Sequence, residues 1–167
     1  MKKQVFLTKN EAQTKRLAGQ VLKELFADKA NKKAKILALE GELGAGKTTF
    51  TQGLAKALGV KEKITSPTFV IMKRFIVNAA KLFPERAARS GASRRVSIEN
   101  LYHIDCYRIQ SPKELSALGF NEIAANPKNI IIIEWAEKIK KLISKDATWV
   151  RFEWVGDKER RISLKNF

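Results

Sequence analysis

The chain has 167 residues, enough for one well-buried domain and too few for two ordinary ones. Hydrophobic residues make up 44% and charged residues 30%, and no apolar run approaches the ~20 residues of a membrane span, which excludes a membrane-spanning role. Its 33 Lys and Arg against 17 Asp and Glu leave a net charge of +16, a balance that favours polyanionic partners and is also compatible with solvated, lysine-rich faces.

The amino terminus lacks the apolar stretch and small-residue cleavage site of a signal peptide. A lone Cys106 permits no internal disulfide, so a reducing, cytoplasmic setting is expected. Residues 10–27 are predicted as an amphipathic helix, with Asn10 at the N-cap and Ala12, Leu17, Val21, Leu22, Leu25 and Phe26 on one face. Residues 28–35 form a polar connector into Ile36-Leu37-Ala38-Leu39, a run short enough for a buried strand. Gly41-Glu42-Leu43-Gly44-Ala45-Gly46-Lys47-Thr48 follows, and residues 49–58 place Phe50, Leu54, Ala57 and Leu58 at helical spacing before Gly59.

Beyond Ser66-Pro67-Thr68-Phe69, the run Val70-Ile71-Met72 suggests a strand. Residues 75–99 carry Lys81, Arg86, Arg89, Arg94 and Arg95 against Glu85 and Glu99. They are predicted as a basic excursion from the core, with a short helix over 79–88 interrupted near Pro84. Leu101 to Asp105 is a short strand ending in a carboxylate, and residues 112–118 a helix with Ser111 as cap and Pro112 in its first turn. Four consecutive isoleucines, Ile130 to Ile133, precede Glu134 and predict a strand buried on both faces, as in a parallel sheet. A helix over 135–143 and an alternating hairpin, 148–155 with 160–164 and a turn at 157–159, complete the chain. The expected fold is α/β and P-loop NTPase-like: one domain over 1–167 with a mainly parallel central sheet flanked by helices and a C-terminal β-hairpin.

Residues 41–48 match G-x-x-x-x-G-K-[ST], and strand, glycine loop, helix is the setting in which that pattern cradles phosphates. Glycines let the amides of Glu42, Leu43, Gly44, Ala45, Gly46, Lys47, Thr48 and Thr49 turn toward an anion at a helix N-terminus. Lys47 can bridge the β- and γ-phosphates and Thr48 can hold Mg2+. Such a site needs a carboxylate at the end of a neighbouring strand. Glu134 is favoured as the metal-side group, and Asp105 as a supporting or catalytic one rather than a simple cap. Thr68 either completes the metal shell once a γ-phosphate is present or packs beside Pro67. His103 and Cys106 lack the partners of a catalytic base or thiol and are expected to be packed. No Asn/Thr-Lys-x-Asp segment marks a guanine site, so ATP is expected over GTP.

With residues 41–48, Ser66-Pro67-Thr68-Phe69, His103-Ile104-Asp105-Cys106-Tyr107-Arg108 and Glu134-Trp135 in this order, the chain resembles the bacterial TsaE (YjeE) family over nearly its whole length. The resemblance implies a small ATPase needed to place threonylcarbamoyl on adenosine 37 of tRNAs that read codons beginning with A, acting with TsaB and TsaD. It implies Lys47 and the loop amides on phosphates, Thr48 and Glu134 on Mg2+, Asp105 supporting hydrolysis, and Tyr107 and Trp135 shaping the site or a partner surface. Glu11, with Thr8 nearby, and Lys158 would lie near the adenine. Cys106 stands where members usually carry leucine, and the stretch from Pro67 to His103 is about twice the usual length, which marks the basic segment as an insertion. Two other readings stay open: a P-loop kinase for a small metabolite, with the basic segment as its lid, and a nucleotide-gated RNA-binding module resting on charge.

Overall fold

The computed structural model describes residues 4–26, 32–77, 98–156 and 158–165. The predicted short helix over 79–88, and most of the basic excursion, lie outside these residues. Seven strands form one mixed sheet in the order β1-β7-β6-β2-β5-β4-β3. They are β1 (Gln4–Thr8), β2 (Lys35–Glu40), β3 (Met72–Ile76), β4 (Asn100–Asp105), β5 (Asn129–Glu134), β6 (Thr148–Trp154) and β7 (Arg160–Lys165). The four central strands β6, β2, β5 and β4 run parallel, and β1, β7 and β3 add antiparallel pairs at the edges.

The isoleucine run explains the layering. In β5, Ile130 and Ile132 point into one core with Leu37, Leu39, Val150 and Phe152, covered by α1 (Glu11–Leu25) and α2 (Lys47–Ala57). Ile131 and Ile133 point into a second core with Ile36, Ala38 and Ile104, covered by α3 (Pro112–Ala117), α4 (Phe120–Ala125) and a 3-10 helix, Ala136–Ile139. A strand covered on both faces has no polar side to present, so its apolar run is continuous. Asn10 caps α1 by accepting from the Gln13 N–H at 2.9 Å. Ser111 and Glu114 form a reciprocal capping box on α3, with Pro112 in its first turn.

Several boundaries differ from expectation. β1 pairs antiparallel with β7 although its Val5 and Leu7 are exposed, and α4 also went unpredicted. The α1 helix spans 11–25 and leaves Ala12 exposed; α2 begins at Lys47, inside the glycine motif. Val70 and Ile71 belong to a turn, and the strand is Met72–Ile76, antiparallel to β4. Val77 and Ile98, at the two ends of the described chain here, are both buried, and the Val77 N–H donates to the Glu99 carbonyl at 2.9 Å. The predicted helix over 135–143 is instead the single 3-10 turn followed by irregular chain.

α1 and α2 cross at Gly53, where an added Cβ would sit 2.5 Å from the Lys15 Cα and carbonyl oxygen. Backbone cannot yield as a side-chain end can, so Gly53→Ala is expected to cost about 1–3 kcal/mol and lower the thermal midpoint by several degrees. Gly19→Ala is the control, since its Cβ would meet only the Ala57 Cβ at an ordinary 3.7 Å. It is expected to be neutral or stabilising by up to ~1 kcal/mol. A Gly53→Ala protein melting at or above the parent would contradict this crossing.

Candidate active site

The parallel strands β2, β5 and β4 end together, and their last residues and the loops after them form one edge. The register pairs Leu39 with Glu134, and Glu134 with Asp105, so Glu134 lies beside the strand that feeds the glycine loop and Asp105 one strand further out at the same level. The loop demands glycine twice over. At Gly41 (φ 140) a Cβ would lie 2.5 Å from the Phe152 carbonyl oxygen, and Gly46 (φ 102) turns the chain into α2 from the left-handed region. Ala45 is buried beneath the loop, while Glu42, Leu43 and Gly44 face solvent and Thr49 is half-buried in the first turn of α2.

The Lys47 Nζ donates to the Gly41 carbonyl at 2.6 Å and the Glu42 carbonyl at 2.8 Å, and lies 3.9 Å from the centre of the Trp135 ring. Burial holds this ammonium below the usual lysine range, while Glu134, Glu137 and Asp105 pull the other way. Burial also raises the nearby Glu137 carboxyl, against the opposing pull of its own backbone N–H and of Lys47. Trp135 reaches its place under Lys47 from φ 58, one of two non-glycine residues with positive φ among those described. Tyr107 packs beside it, with ring centres 5.2 Å apart.

Glu134 is 2% exposed and fully engaged. Its Oε2 accepts from Thr48 Oγ1 at 2.8 Å, and its Oε1 accepts from Thr51 Oγ1 at 3.2 Å and is 2.8 Å from His103 Nε2. The Thr48 and Glu134 oxygens fit Mg2+: both are hard donors, and neighbouring ligands of an octahedral ion with bonds of ~2.0–2.1 Å sit about 3 Å apart. Among the described residues no cluster of three or more His, Cys, Asp or Glu forms a cage. Two protein oxygens suit an ion that takes its other ligands from water and phosphate.

Asp105 collects a different set. Its Oδ2 accepts from Thr68 Oγ1 at 2.6 Å and from Ser66 Oγ, the two hydroxyls being 2.7 Å apart, and its Oδ1 accepts the Tyr107 N–H at 2.9 Å. The carboxylate thus ties the Ser66–Thr68 loop to the end of β4. Ile71, at φ 62, closes this loop in a tight three-residue turn in which the Met72 N–H donates to the Val70 carbonyl at 2.7 Å. A β-branched residue held there costs roughly 1–3 kcal/mol, as does Trp135. Both departures flank the same site. Cys106 is buried, and burial pushes its thiol up to about 12, so it is packed and unreactive as expected.

The edge strands bring Thr8 to this end of the sheet. Thr8 pairs with Arg160, and Arg160 with Trp154, whose ring lies 3.3 Å from where a Gly44 Cβ would stand. Thr8 is held by Thr14 (Oγ1 to Oγ1, 2.9 Å), while Glu11 pairs with Lys15 at 3.2 Å and Lys158 is exposed in the hairpin turn. A cleft of about 450 Å3 opens between the loop and β6, but Glu40, Glu42, Glu137 and Glu153 among its lining make it a poor receiver of phosphate.

The family model described as "Threonylcarbamoyl adenosine biosynthesis protein TsaE" matches residues 8–162. The chain belongs to the TsaE family. It is 32% identical to the tRNA threonylcarbamoyladenosine biosynthesis protein TsaE of Bacillus subtilis, over 98% of this chain and 86% of that one. The corresponding protein of Rickettsia felis is also 32% identical, over 96% of this chain and 78% of its own. A crystal structure of Bacillus subtilis YdiB superposes with a TM-score of 0.66 at 29% identity, covering 98% of this chain and 84% of that one. The α/β, P-loop NTPase-like fold expected from the sequence is the fold of this TsaE chain. Its structure also brings in Thr51, Ser66 and His103, to which sequence reasoning gave no role at the site. Their signal is tertiary: Thr51 and His103 meet Glu134 from 83 and 31 positions away.

Proposed function

We propose that this chain is the Mg2+-dependent ATP hydrolase of the threonylcarbamoyl modification of adenosine 37, in tRNAs that read codons beginning with A. It acts in the cytoplasm with TsaB and TsaD and reaches tRNA through their complex. The observation that carries this reading is the convergence of Thr48 and Glu134, 2.8 Å apart, beside the lysine of a phosphate loop.

In this reading the loop amides of 42–49 and the Lys47 ammonium hold the phosphates, and Lys47 exchanges the Gly41 and Glu42 carbonyls for phosphate oxygens. A Mg2+ ion held by Thr48 and Glu134 would neutralise charge on the β- and γ-phosphates. Asp105 orients the attacking water and takes up its proton as the bond from the γ-phosphorus to ADP breaks. Thr68 and Ser66, already on that carboxylate, bring the loop over the γ-phosphate. Glu11 and Lys158 border the adenine.

Slow turnover by the chain alone is expected. Among the described residues Arg108 is stacked on Phe69 at 4.3 Å and Arg160 on Trp154 at 3.3 Å, while Lys47 is the cation hydrogen-bonded to the loop itself. P-loop proteins often complete the charge around the γ-phosphate only with a partner. ATP hydrolysis measured alone, and then with TsaB, TsaD and tRNA, tests this, with a marked rise expected on addition. Fast turnover alone, dependent on a small phosphoryl acceptor, would overturn the reading and favour the kinase.

A further inference from the structure

We propose that His103 is a positioning residue that fixes the Glu134 carboxylate, so that one oxygen is locked and the other is presented to Thr48 and a divalent cation. The inference rests on the metal role given to Thr48 and Glu134 above.

His103 lies at the centre of β4, paired with Ile132 on one side and Lys73 on the other, and is 0% exposed. Its Nε2 is 2.8 Å from Glu134 Oε1, and its Nδ1 has no hydrogen-bond partner among the described residues. A carboxylate oxygen in such a contact accepts, so the ring donates from Nε2. Burying a ring nitrogen without a partner is costly, and an apolar ring would fill the same space without that cost. Among the described residues, the one polar engagement of this imidazole is that with Glu134.

That engagement is directional. Thr51, equally buried, shares its single hydroxyl proton between the Lys47 carbonyl at 3.0 Å and the same Oε1 at 3.2 Å. With Oε1 held by donors from β4 and α2, rotating the carboxylate would break both contacts, and Oε2 lies 2.8 Å from Thr48 Oγ1 at the loop. The Glu134 side chain then needs no reordering when a cation arrives. Removing the outer partner of a metal ligand typically weakens metal affinity by about 10–100-fold.

The test is binding rather than turnover. A fluorescent ATP analogue is titrated onto the full chain in chelator and then across a Mg2+ series, for the parent, His103→Phe and His103→Gln. His103→Phe keeps a ring but has no donor, whereas the amide nitrogen of His103→Gln can stand where Nε2 stood. The expected result is a roughly 10–100-fold rise in the Mg2+ needed for half-maximal tightening in His103→Phe, unchanged affinity in chelator, and substantial recovery in His103→Gln. Thermal melts accompany each variant. A parent-like Mg2+ titration in His103→Phe overturns the proposal, as does His103→Gln impaired as fully as His103→Phe. Loss of the folded state in both variants assigns His103 to stability and overturns it too. A parent that binds the analogue equally with and without Mg2+ removes the metal reading of Thr48 and Glu134 itself, an outcome distinct from a parent response that the variants retain.

Discussion

Lys47→Ala is expected to lose measurable ATP hydrolysis and to bind ATP roughly tenfold to a hundredfold more weakly, the equivalent of one charge-assisted hydrogen bond. The ammonium already sits inside the loop, on the Gly41 and Glu42 carbonyls and above the Trp135 ring, so no long side-chain search precedes contact with phosphate. Its burial makes the charge more effective, because little water screens it. Loss of one preorganised group facing developing charge commonly costs 10²–10³ in turnover, about 2.7–4 kcal/mol. The fold should survive, since the core around Phe50 and Leu54 does not involve the lysine head group. Calorimetric ATP binding, a phosphate-release assay and a thermal melt separate these effects. Parent-rate hydrolysis by Lys47→Ala would remove the glycine motif from the proposed mechanism.

Where local pattern and burial agree, the sequence was readable. The Ile130–Ile133 run is apolar because both faces of β5 are covered, and the glycine motif sits between strand and helix because its amides belong to a helix N-terminus. Edge strand β1 left little trace, because its Val5 and Leu7 face solvent and supply no inward alternation. Residues 135–143 misled for the opposite reason. Ala136, Ile139 and Ile143 keep helical spacing and are buried, yet Trp135 at φ 58 places its ring under Lys47 and breaks the helix before it starts. At Ile71, β-branching suggested strand where the loop closure imposed a tight turn. Asp105 and Glu134 could be named as strand-end carboxylates, but which hydroxyls each would gather could not. Thr48 reaches Glu134 across 86 positions, and Thr68 reaches Asp105 across 37.

That partition of hydroxyls leads to the sharpest expected difference between two carboxylates. Glu134→Ala and Asp105→Ala should both depress ATP hydrolysis, yet only Glu134→Ala should raise the Mg2+ concentration required for it. Glu134 is joined to Thr48, the hydroxyl of the phosphate loop, whereas Asp105 is joined to Ser66 and Thr68 of the loop that would cover the γ-phosphate. The shift for Glu134→Ala should exceed the roughly 10–100-fold loss that follows removal of a ligand's outer partner, since here the ligand itself goes. Glu134→Gln refines the expectation: it keeps the size and an oxygen toward Thr48 but loses the charge, so its Mg2+ requirement should fall between parent and alanine variant. Asp105→Asn should hold the loop through its remaining oxygen while losing proton uptake, giving a low maximal rate at an unchanged Mg2+ midpoint. Mg2+ titrations of phosphate release, taken to saturation for all four variants, give midpoint and maximal rate separately. A shifted midpoint for the Asp105 variants with a parent-like midpoint for Glu134→Ala would exchange the two assignments, because the carboxylate that sets the midpoint is the one beside the cation.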